Sequence, residues 1–329
     1  MGARRLFGAA ALFAAALLLA GFGGRWWFAL DTLAHFRLHL AVLAALFGLA
    51  AILARARLAG GAALVSAALG VAGLGPALTP GGRPAAPGPT APLTVAVANV
   101  DFSNDRSDEV EQALAVLGAD VLVTLESRSQ FRRADGPLRG AFDTVVNRVR
   151  YIYTGNWLWT NLPVAGGEKR DTAPDAPAIV RARVSLPQGG AVDVLGLHFR
   201  RPLTEAQGAQ VAGLGAATPG LGRPLVALGD FNAAPWSEAV ARAARTLGVE
   251  PVGGLRFTWR SKWAGWFGPF GALLSLPIDH ALVSPGVGVD SVETFAIPGS
   301  DHRGLLLRLQ IPLDASTPTA AETEANPSR

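Results

Sequence analysis

The sequence predicts an α/β protein, a sandwich of mixed β-sheets preceded by three transmembrane helices. Three observations lead there. Residues 1–78 carry three long apolar stretches. From Leu93 onward, short apolar or alternating runs interleave with stretches of helical period. The polar residues suited to chemistry sit at the ends of those runs.

The apolar stretches are Leu6–Gly24, Leu38–Leu53 and Leu58–Leu78. The first and third approach the ~20 residues that cross a bilayer. The second reaches that length if Phe36 or Ala54 is included. Arg4 and Arg5 precede the first, Arg55 and Arg57 separate the second from the third, and Trp26-Trp27 follow the first as an interfacial pair would. This arrangement places the N-terminus and the 55–57 turn in the cytoplasm, and all that follows residue 78 outside it. Arg25 and Arg37 on the outer loop oppose that bias. A cleaved signal peptide would also explain the first stretch, but not the other two. Residues 79–92 read as an extended Pro/Gly linker, and 314–329 as a disordered tail rich in Ala, Thr, Glu and Pro. The folded unit is thus 93–313.

Charge and composition narrow the function. Residues 1–79 carry six Arg and one Asp, whereas 80–329 carry 23 Lys+Arg against 24 Asp+Glu. The basic character therefore belongs to the membrane segment, and the folded unit lacks the bulk positive charge of a strong nonspecific nucleic-acid binder. The absence of cysteine excludes disulfides and thiolate metal sites.

Along the folded unit, Thr94–Val100 is a strand ending in Asn99-Val-Asp101. Ser107 caps a helix to about Leu117, with Val110, Ala113, Leu114 and Leu117 on one stripe. Val121–Leu125 is a strand that ends in Glu126. Val145–Trp159 reads as a hairpin with a Gly-Asn turn, and Ile179–Leu186 with Val192–Phe199 as another, the latter ending at His198. Thr204 and Gln207 suggest a capping box. Leu225–Leu228 is the pattern of a buried strand, leading into Gly229-Asp-Phe-Asn232, a Pro-Trp turn, and a helix from Ser237 to Leu247 stopped by Gly248. Strand alternation would point Asp230 and Asn232 one way and Phe231 the other. Ile278–Ser284 and Leu305–Ile311 are the last strands, opened by Asp279-His280 and preceded by Asp301-His302.

Asn99, Asp101, Glu126, His198, Asp230 and Asn232 thus lie at C-terminal strand ends, and Asp279, Asp301 and His302 at N-terminal ones. One rim of a mixed sandwich would gather them all. Carboxylates and amides are hard oxygen donors that suit Mg²⁺ or Mn²⁺. The chemistry expected is metal-assisted phosphoester hydrolysis. Glu126 would be the main metal ligand, with Asn99, Asp101 and Asp301 around it. His302, oriented by Asp279, would be the acid/base or phosphate-contacting imidazole. Asp230 and Asn232 would position water and phosphate, and His198 would donate to the phosphate oxygens. Arg200 and Arg201 could clamp a substrate phosphate. His280, His35 and His39 read as structural.

These motifs, in this order, resemble the endonuclease/exonuclease/phosphatase superfamily: Asn-Val-Asp at 99–101, Glu126, His198, Gly-Asp-Phe-Asn at 229–232, Ile-Asp-His at 278–280 and Gly-Ser-Asp-His at 299–302. The resemblance spans about residues 93–311 and is strongest to membrane-anchored bacterial members. It implies a four-layer α/β sandwich, metal binding at Glu126 with Asn99, Asp101 and Asp301 nearby, and catalytic roles for His198, Asp230, Asn232 and His302 with Asp279 paired to His302. The stretch 127–178 departs from the pattern, with Thr160-Asn161-Leu-Pro163 where relatives often have a Ser-Arg-Pro-like strand end.

The expectation is a multi-pass cell-membrane enzyme with its catalytic unit extracytoplasmic, acting on nucleic acid, a lipid headgroup or a small phosphoester, with no obligate protein partner. The alternative is a non-catalytic membrane protein whose folded unit binds a phosphate-containing or protein partner. A transporter is disfavoured because the spans carry no acids. The aromatic stretch Phe257–Phe270 reads as core or lid packing, bilayer contact, or a base-stacking platform.

Overall fold

A computed structural model describes residues 2–78, 81–128, 135–149, 154–165, 178–202 and 205–313. The expected tail, Thr204 and the tip of the first hairpin lie outside the described residues.

Four helices come first: α1 (Gly2–Ala20), α2 (Phe28–His35), α3 (Arg37–Leu53) and α4 (Arg57–Ala72). The packing of α1, α3 and α4 is inverted relative to a soluble bundle. Small residues such as Ala11, Ala44, Ala63 and Ala67 fill the interior, while Leu12, Phe13, Leu46, Leu49, Val65 and Leu69 face outward. Gly48 and Gly60 bring α3 and α4 together closely, since a Cβ on Gly60 would sit 2.5 Å from the Gly48 carbonyl oxygen.

The expectation of three full spans needs correction. One helix, Gly2–Gly23, is by itself long and apolar enough to cross a membrane. The second stretch, Leu38–Leu53, falls within the 17 residues of α3, and α2 before it stands at 69° to α3, so the two helices together would form only a broken span or a re-entrant loop. The third has 16 helical residues, with α4 ending at Ala72 and Gly75 turning into the left-handed region at φ 48° before the expected Leu78.

The remainder is built on two mixed sheets, with a short antiparallel pair, β9 (Trp259–Arg260) and β10 (Ser275–Leu276), beside them. The first has the strand order β12-β13-β1-β2-β4-β3. Its members are β1 (Thr90–Asn99), β2 (Val121–Arg128), β3 (Thr144–Val149), β4 (Thr154–Thr160), β12 (Gly288–Ala296) and β13 (Arg303–Pro312). The second has the order β5-β6-β7-β11-β8. It comprises β5 (Ala178–Ser185), β6 (Ala191–His198), β7 (Leu225–Asp230), β8 (Glu250–Val252) and β11 (Asp279–Val283). β1 runs parallel to β2 and β6 parallel to β7, and the other neighbours are antiparallel.

Period-two alternation explains the layers. Val95, Val97, Val121 and Val123 point into the space between the sheets, where they meet Val192, Val194, Val226 and Leu228. Ala96, Ala98 and Leu122 face the other way and pack with Val110 and Leu114 of α5 (Ser107–Ala115) and Leu138 of α6 (Pro137–Ala141). On the second sheet Leu195, Leu197, Leu225 and Ala227 pack with Val211 and Leu214 of α7 (Glu205–Ala217) and Val240 and Ala243 of α8 (Glu238–Leu247). Strands buried on both faces read as continuous apolar runs, which is why they were visible in the sequence.

Local signals acted as expected in some places and not in others. The Ser237 side chain caps α8, accepting from the Val240 N–H at 3.2 Å, and Gly248 ends the helix at φ 61°. Ser107 is instead the first residue of α5, and Arg106 holds the N-cap position. Gly155 and Asn156 lie inside β4 rather than in the hairpin turn. Arg83, within the expected linker, donates to the Val287 and Ser284 carbonyls and pairs with Glu250, which fixes this part of the segment to the sandwich.

Candidate active site

Strand register brings the polar ends together. In the second sheet His198 and Asp279 both lie beside Asp230, on its two neighbouring strands. In the first sheet Asn99 pairs with Leu125, so that Glu126 follows at the same rim. A bulge in β2 between Thr124 and Ser127 turns Glu126 out of the ladder at φ 56°. The rims of both sheets open into one cleft of about 940 Å³, with Glu126, His198, Asp230, Asn232, Asp301 and His302 on its walls.

Asn99 joins the two sheets. Its Nδ2 donates to Glu126 Oε1 at 3.2 Å and to Asp230 Oδ2 at 3.1 Å, and its Oδ1 accepts from the Asp101 N–H at 3.0 Å. The Phe102 N–H donates to Glu126 Oε2 at 3.1 Å. His198 Nε2 lies 3.5 Å from Glu126 Oε1 and 3.7 Å from Asp230 Oδ2.

Asp230 is buried and held from several sides. The Asn232 N–H donates to its Oδ1 at 2.7 Å, and Asn232 Nδ2 donates to its Oδ2 at 3.2 Å. Asn232 does not continue the strand alternation. It turns into the left-handed region at φ 47° and reaches Asp230 that way. Phe231 does face away from the cleft, against Phe199 and His280. Glycine is required at position 229, because a Cβ there would sit 1.9 Å from the Leu197 carbonyl oxygen of β6.

His302 Nδ1 lies 2.9 Å from Asp279 Oδ2, with both side chains almost fully buried. Its Nε2 is 3.8 Å from Asp230 Oδ2 and 3.9 Å from Asp301 Oδ1. Burial pulls the His302 pKa down, but the Asp279 carboxylate, with Asp230 and Asp301 behind it, outweighs this and pushes it up to about 10. Asp230 is raised to about 6, chiefly by burial and by the charge of Asp279, against the opposing pull of His302 and His198.

Asp101 and Asp301 reach the same cleft but have other partners. Asp101 adopts φ 59°, accepts from the Ser103 N–H and hydroxyl at 2.9 and 2.8 Å, and pairs with Lys262. Asp301 Oδ2 accepts from Trp259 Nε1 at 3.0 Å. Arg200 and Arg201 stand at the mouth. His280 is structural here, with its Nε2 2.7 Å from the Ala233 carbonyl oxygen. Among the described residues, three of the four non-glycine residues with positive φ are Asp101, Glu126 and Asn232. Such backbone costs of order 1–3 kcal/mol each and persists where the surroundings enforce it.

Sequence reasoning missed several residues. Lys262 holds Asp101 and donates to Ser103 Oγ at 2.7 Å. It is one of only two lysines in an arginine-rich chain, and that rarity was the available signal. Asn156 and Trp259 also line the cleft, as do His35 and Phe36 from the N-terminal segment.

The contacts of α2 are extensive. His35 Nδ1 accepts from the Ala234 N–H at 3.1 Å, just past the Gly-Asp-Phe-Asn turn. Trp236 Nε1 donates to the Ala34 carbonyl at 2.6 Å. Asp31 accepts from the first two N–H groups of α8, Glu238 at 2.7 Å and Ala239 at 3.0 Å. Asp31 and Ser237 together thus satisfy the first three amides of α8.

The residues fit a hard divalent cation. Single ligand atoms from Glu126, His198 and Asp230 lie within 4.8 Å of one another, and so do those of Asp230, Asp279 and His302. Burial first, and then the charge of Asp279, raise the Asp230 pKa, and a cation would offset the second of these. Among the described residues neither cluster includes Asp101 or Asp301.

Comparison with known proteins agrees with this architecture. The profile of the Endonuclease/Exonuclease/phosphatase family matches residues 96–302. The chain belongs to this family, whose members are phosphoester hydrolases that use divalent metals. Among solved structures, an endonuclease/exonuclease/phosphatase from Beutenbergia cavernae is 16% identical with a TM-score of 0.54, over 67% of this chain and 72% of that one. A counterpart from Bacteroides vulgatus is 19% identical with a TM-score of 0.54, over 67% and 99%. A 3′ phosphatase from Neisseria, solved with a product DNA hairpin, is 19% identical with a TM-score of 0.51, over 65% and 98%. No curated protein sequence matches. At these identities the solved structures speak to the fold.

Proposed function

We propose that the protein is a Mg²⁺- or Mn²⁺-dependent hydrolase of phosphoester bonds, held in the cell membrane by its N-terminal helices. The observation that carries the reading is the convergence of Asn99, Glu126, His198, Asp230, Asn232, Asp279 and His302 in one cleft from the rims of two sheets.

Glu126 would hold the metal, with Asn99, Asp101 and Asp301 around it; Asp101 would then share its charge with Lys262. A bound divalent cation supplies charge neutralisation and polarisation of the phosphoryl group. The chain's own residues do the rest. Asp230, buried at the cleft and fixed by Asn99 and Asn232, takes the proton of the attacking water. His302 cannot take that role while Asp279 keeps it cationic, so its Nε2 donates to a phosphoryl oxygen. His198 donates beside it. Arg200 and Arg201 meet a phosphate at the mouth.

The outward-facing large apolar residues of α1, α3 and α4, around an interior of small ones, support the membrane placement. Arg37 donates to the Gly73 carbonyl at 2.6 Å, so the start of α3 and the end of α4 meet at the end of the bundle nearest the catalytic unit. Arg4, Arg5, Arg55 and Arg57 then mark the opposite, cytoplasmic end, and the catalytic unit is extracytoplasmic.

The test is turnover of bis(p-nitrophenyl) phosphate and p-nitrophenyl phosphate by the full-length protein in detergent, with Mn²⁺, Mg²⁺ or EDTA. Metal-dependent release of p-nitrophenol that Asp230→Asn loses supports the reading. Equal rates with and without EDTA contradict it.

A further inference from the structure

We infer that the cleft takes the phosphoester of an amphiphile whose apolar part stays in the bilayer, a membrane phospholipid, across an apolar lip made by residues 263–274. The inference rests on the hydrolase reading and the membrane placement given above.

The lip follows directly on Lys262 at the cleft wall. It is a kinked run of 3₁₀ turns, Lys262–Leu274, broken at Gly268. It exposes large apolar side chains in succession, among them Trp266 at 81% and Phe270 at 70%. Such residues project from a soluble surface only at a cost unless something covers them. Ser261 and Lys262 anchor its near end, the former accepting from the Trp263 N–H at 3.3 Å. Its far end is joined to the N-terminal helices, where the Leu273 carbonyl oxygen lies 2.6 Å from His39 Nε2 in the first turn of α3.

That junction identifies the occupant. The lip is continuous with the end of the bundle where Trp26, Trp27, Phe22 and Phe36 are also exposed. Aromatic rings at such a level are characteristic of a membrane interface. The α2 contacts hold the catalytic unit there, so the lip does not depend on a free linker to reach the bilayer. Phe36 and Trp263 also line the cleft itself, together with Glu126 and His302. The opening is therefore apolar on its membrane side and charged at its floor, the polarity of a lipid headgroup joined to its chains. The folded unit is near neutral overall, which favours a lipid headgroup over a nucleic-acid backbone.

The experiment uses the full-length protein with Mn²⁺ in mixed micelles of detergent and a total bacterial phospholipid extract, at fixed bulk lipid and varied mole fraction. Bis(p-nitrophenyl) phosphate serves as the soluble substrate. Phospholipid is expected to be hydrolysed, or to compete with the soluble substrate, in proportion to its surface mole fraction. The double variant Trp266→Ser/Phe270→Ser lies outside the cleft lining and should keep soluble turnover within about twofold. It should raise the half-saturating lipid mole fraction at least fivefold. Soluble turnover with no hydrolysis of, or competition by, phospholipid overturns the inference and leaves the hydrolase reading standing. So does a double variant with unchanged lipid dependence, or a nucleic acid that competes where phospholipid does not. Absence of metal-dependent soluble turnover removes the hydrolase reading and this inference with it.

Discussion

Replacing Asp279 with Asn removes the charge that keeps His302 protonated while leaving a group of the same shape. In the native protein His302 Nδ1 is 2.9 Å from Asp279 Oδ2, with both groups nearly excluded from water. Burial alone would lower the imidazole, and the carboxylates hold it at about 10 instead. Because the folded value lies above the unfolded 6.5, the pair's stabilisation is fully present below about pH 6.5 and fades as pH rises toward 10. Breaking one side of a buried pair costs about 3–5 kcal/mol. The metal-free Asp279→Asn protein should thus lose about that much stability at pH 6, and much less relative to native at pH 10. Its His302 should titrate at or below the ordinary histidine range. The assay is histidine-selective NMR of the EDTA-treated full-length protein from pH 5 to 10, with chemical denaturation at both ends. An Asp279→Asn protein whose His302 still carries its proton at pH 8 would refute the reasoning, since Asp230 and Asp301 alone would then suffice.

Other perturbations follow from the same geometry. Asn99→Ala removes the amide that bridges Glu126 and Asp230 and should lower metal-dependent turnover ~10- to 100-fold, read by steady-state kinetics. Gly229→Ala forces a Cβ to within 1.9 Å of the Leu197 carbonyl oxygen, and should cost more than ~4 kcal/mol, visible as loss of folded protein on size exclusion. Asp31→Ala uncaps two amides of α8 and should cost about 2 kcal/mol, lowering the apparent Tm by about 4–8 °C. Asp230 is raised to about 6, so Mn²⁺ affinity measured by calorimetry should hold above pH 7 and weaken progressively as pH falls below about 6.

The sandwich was legible because its strands are buried on both faces, and runs such as Leu225–Leu228 end abruptly in polar residues. Those ends marked the site, and register places Asp230 between His198 and Asp279 as one rim requires. Local signals failed where a long-range contact decided the outcome. The Pro/Gly composition of 79–92 suggested a free linker, yet Arg83 finds acceptors more than 200 positions away. The apolar stretch Leu38–Leu53 suggested a span that Phe36 could lengthen, but Asp31, Ala34 and His35 just before it bond the sandwich, and the chain bends by 69° between α2 and α3. Asn232 reached its predicted neighbour by a left-handed turn, a conformation that alternation does not encode. Lys262 and Phe36 join the cleft through contacts that leave no periodic trace.

The most direct test of the account is Mn²⁺ binding paired with phosphodiester turnover in the full-length protein and its Glu126→Gln variant. The native protein should bind Mn²⁺ by calorimetry and hydrolyse bis(p-nitrophenyl) phosphate only when the metal is present. The variant should remain folded, bind Mn²⁺ at least tenfold more weakly and lose turnover. Undiminished binding and turnover in Glu126→Gln would contradict the assignment of this cleft as a metal-dependent hydrolytic centre.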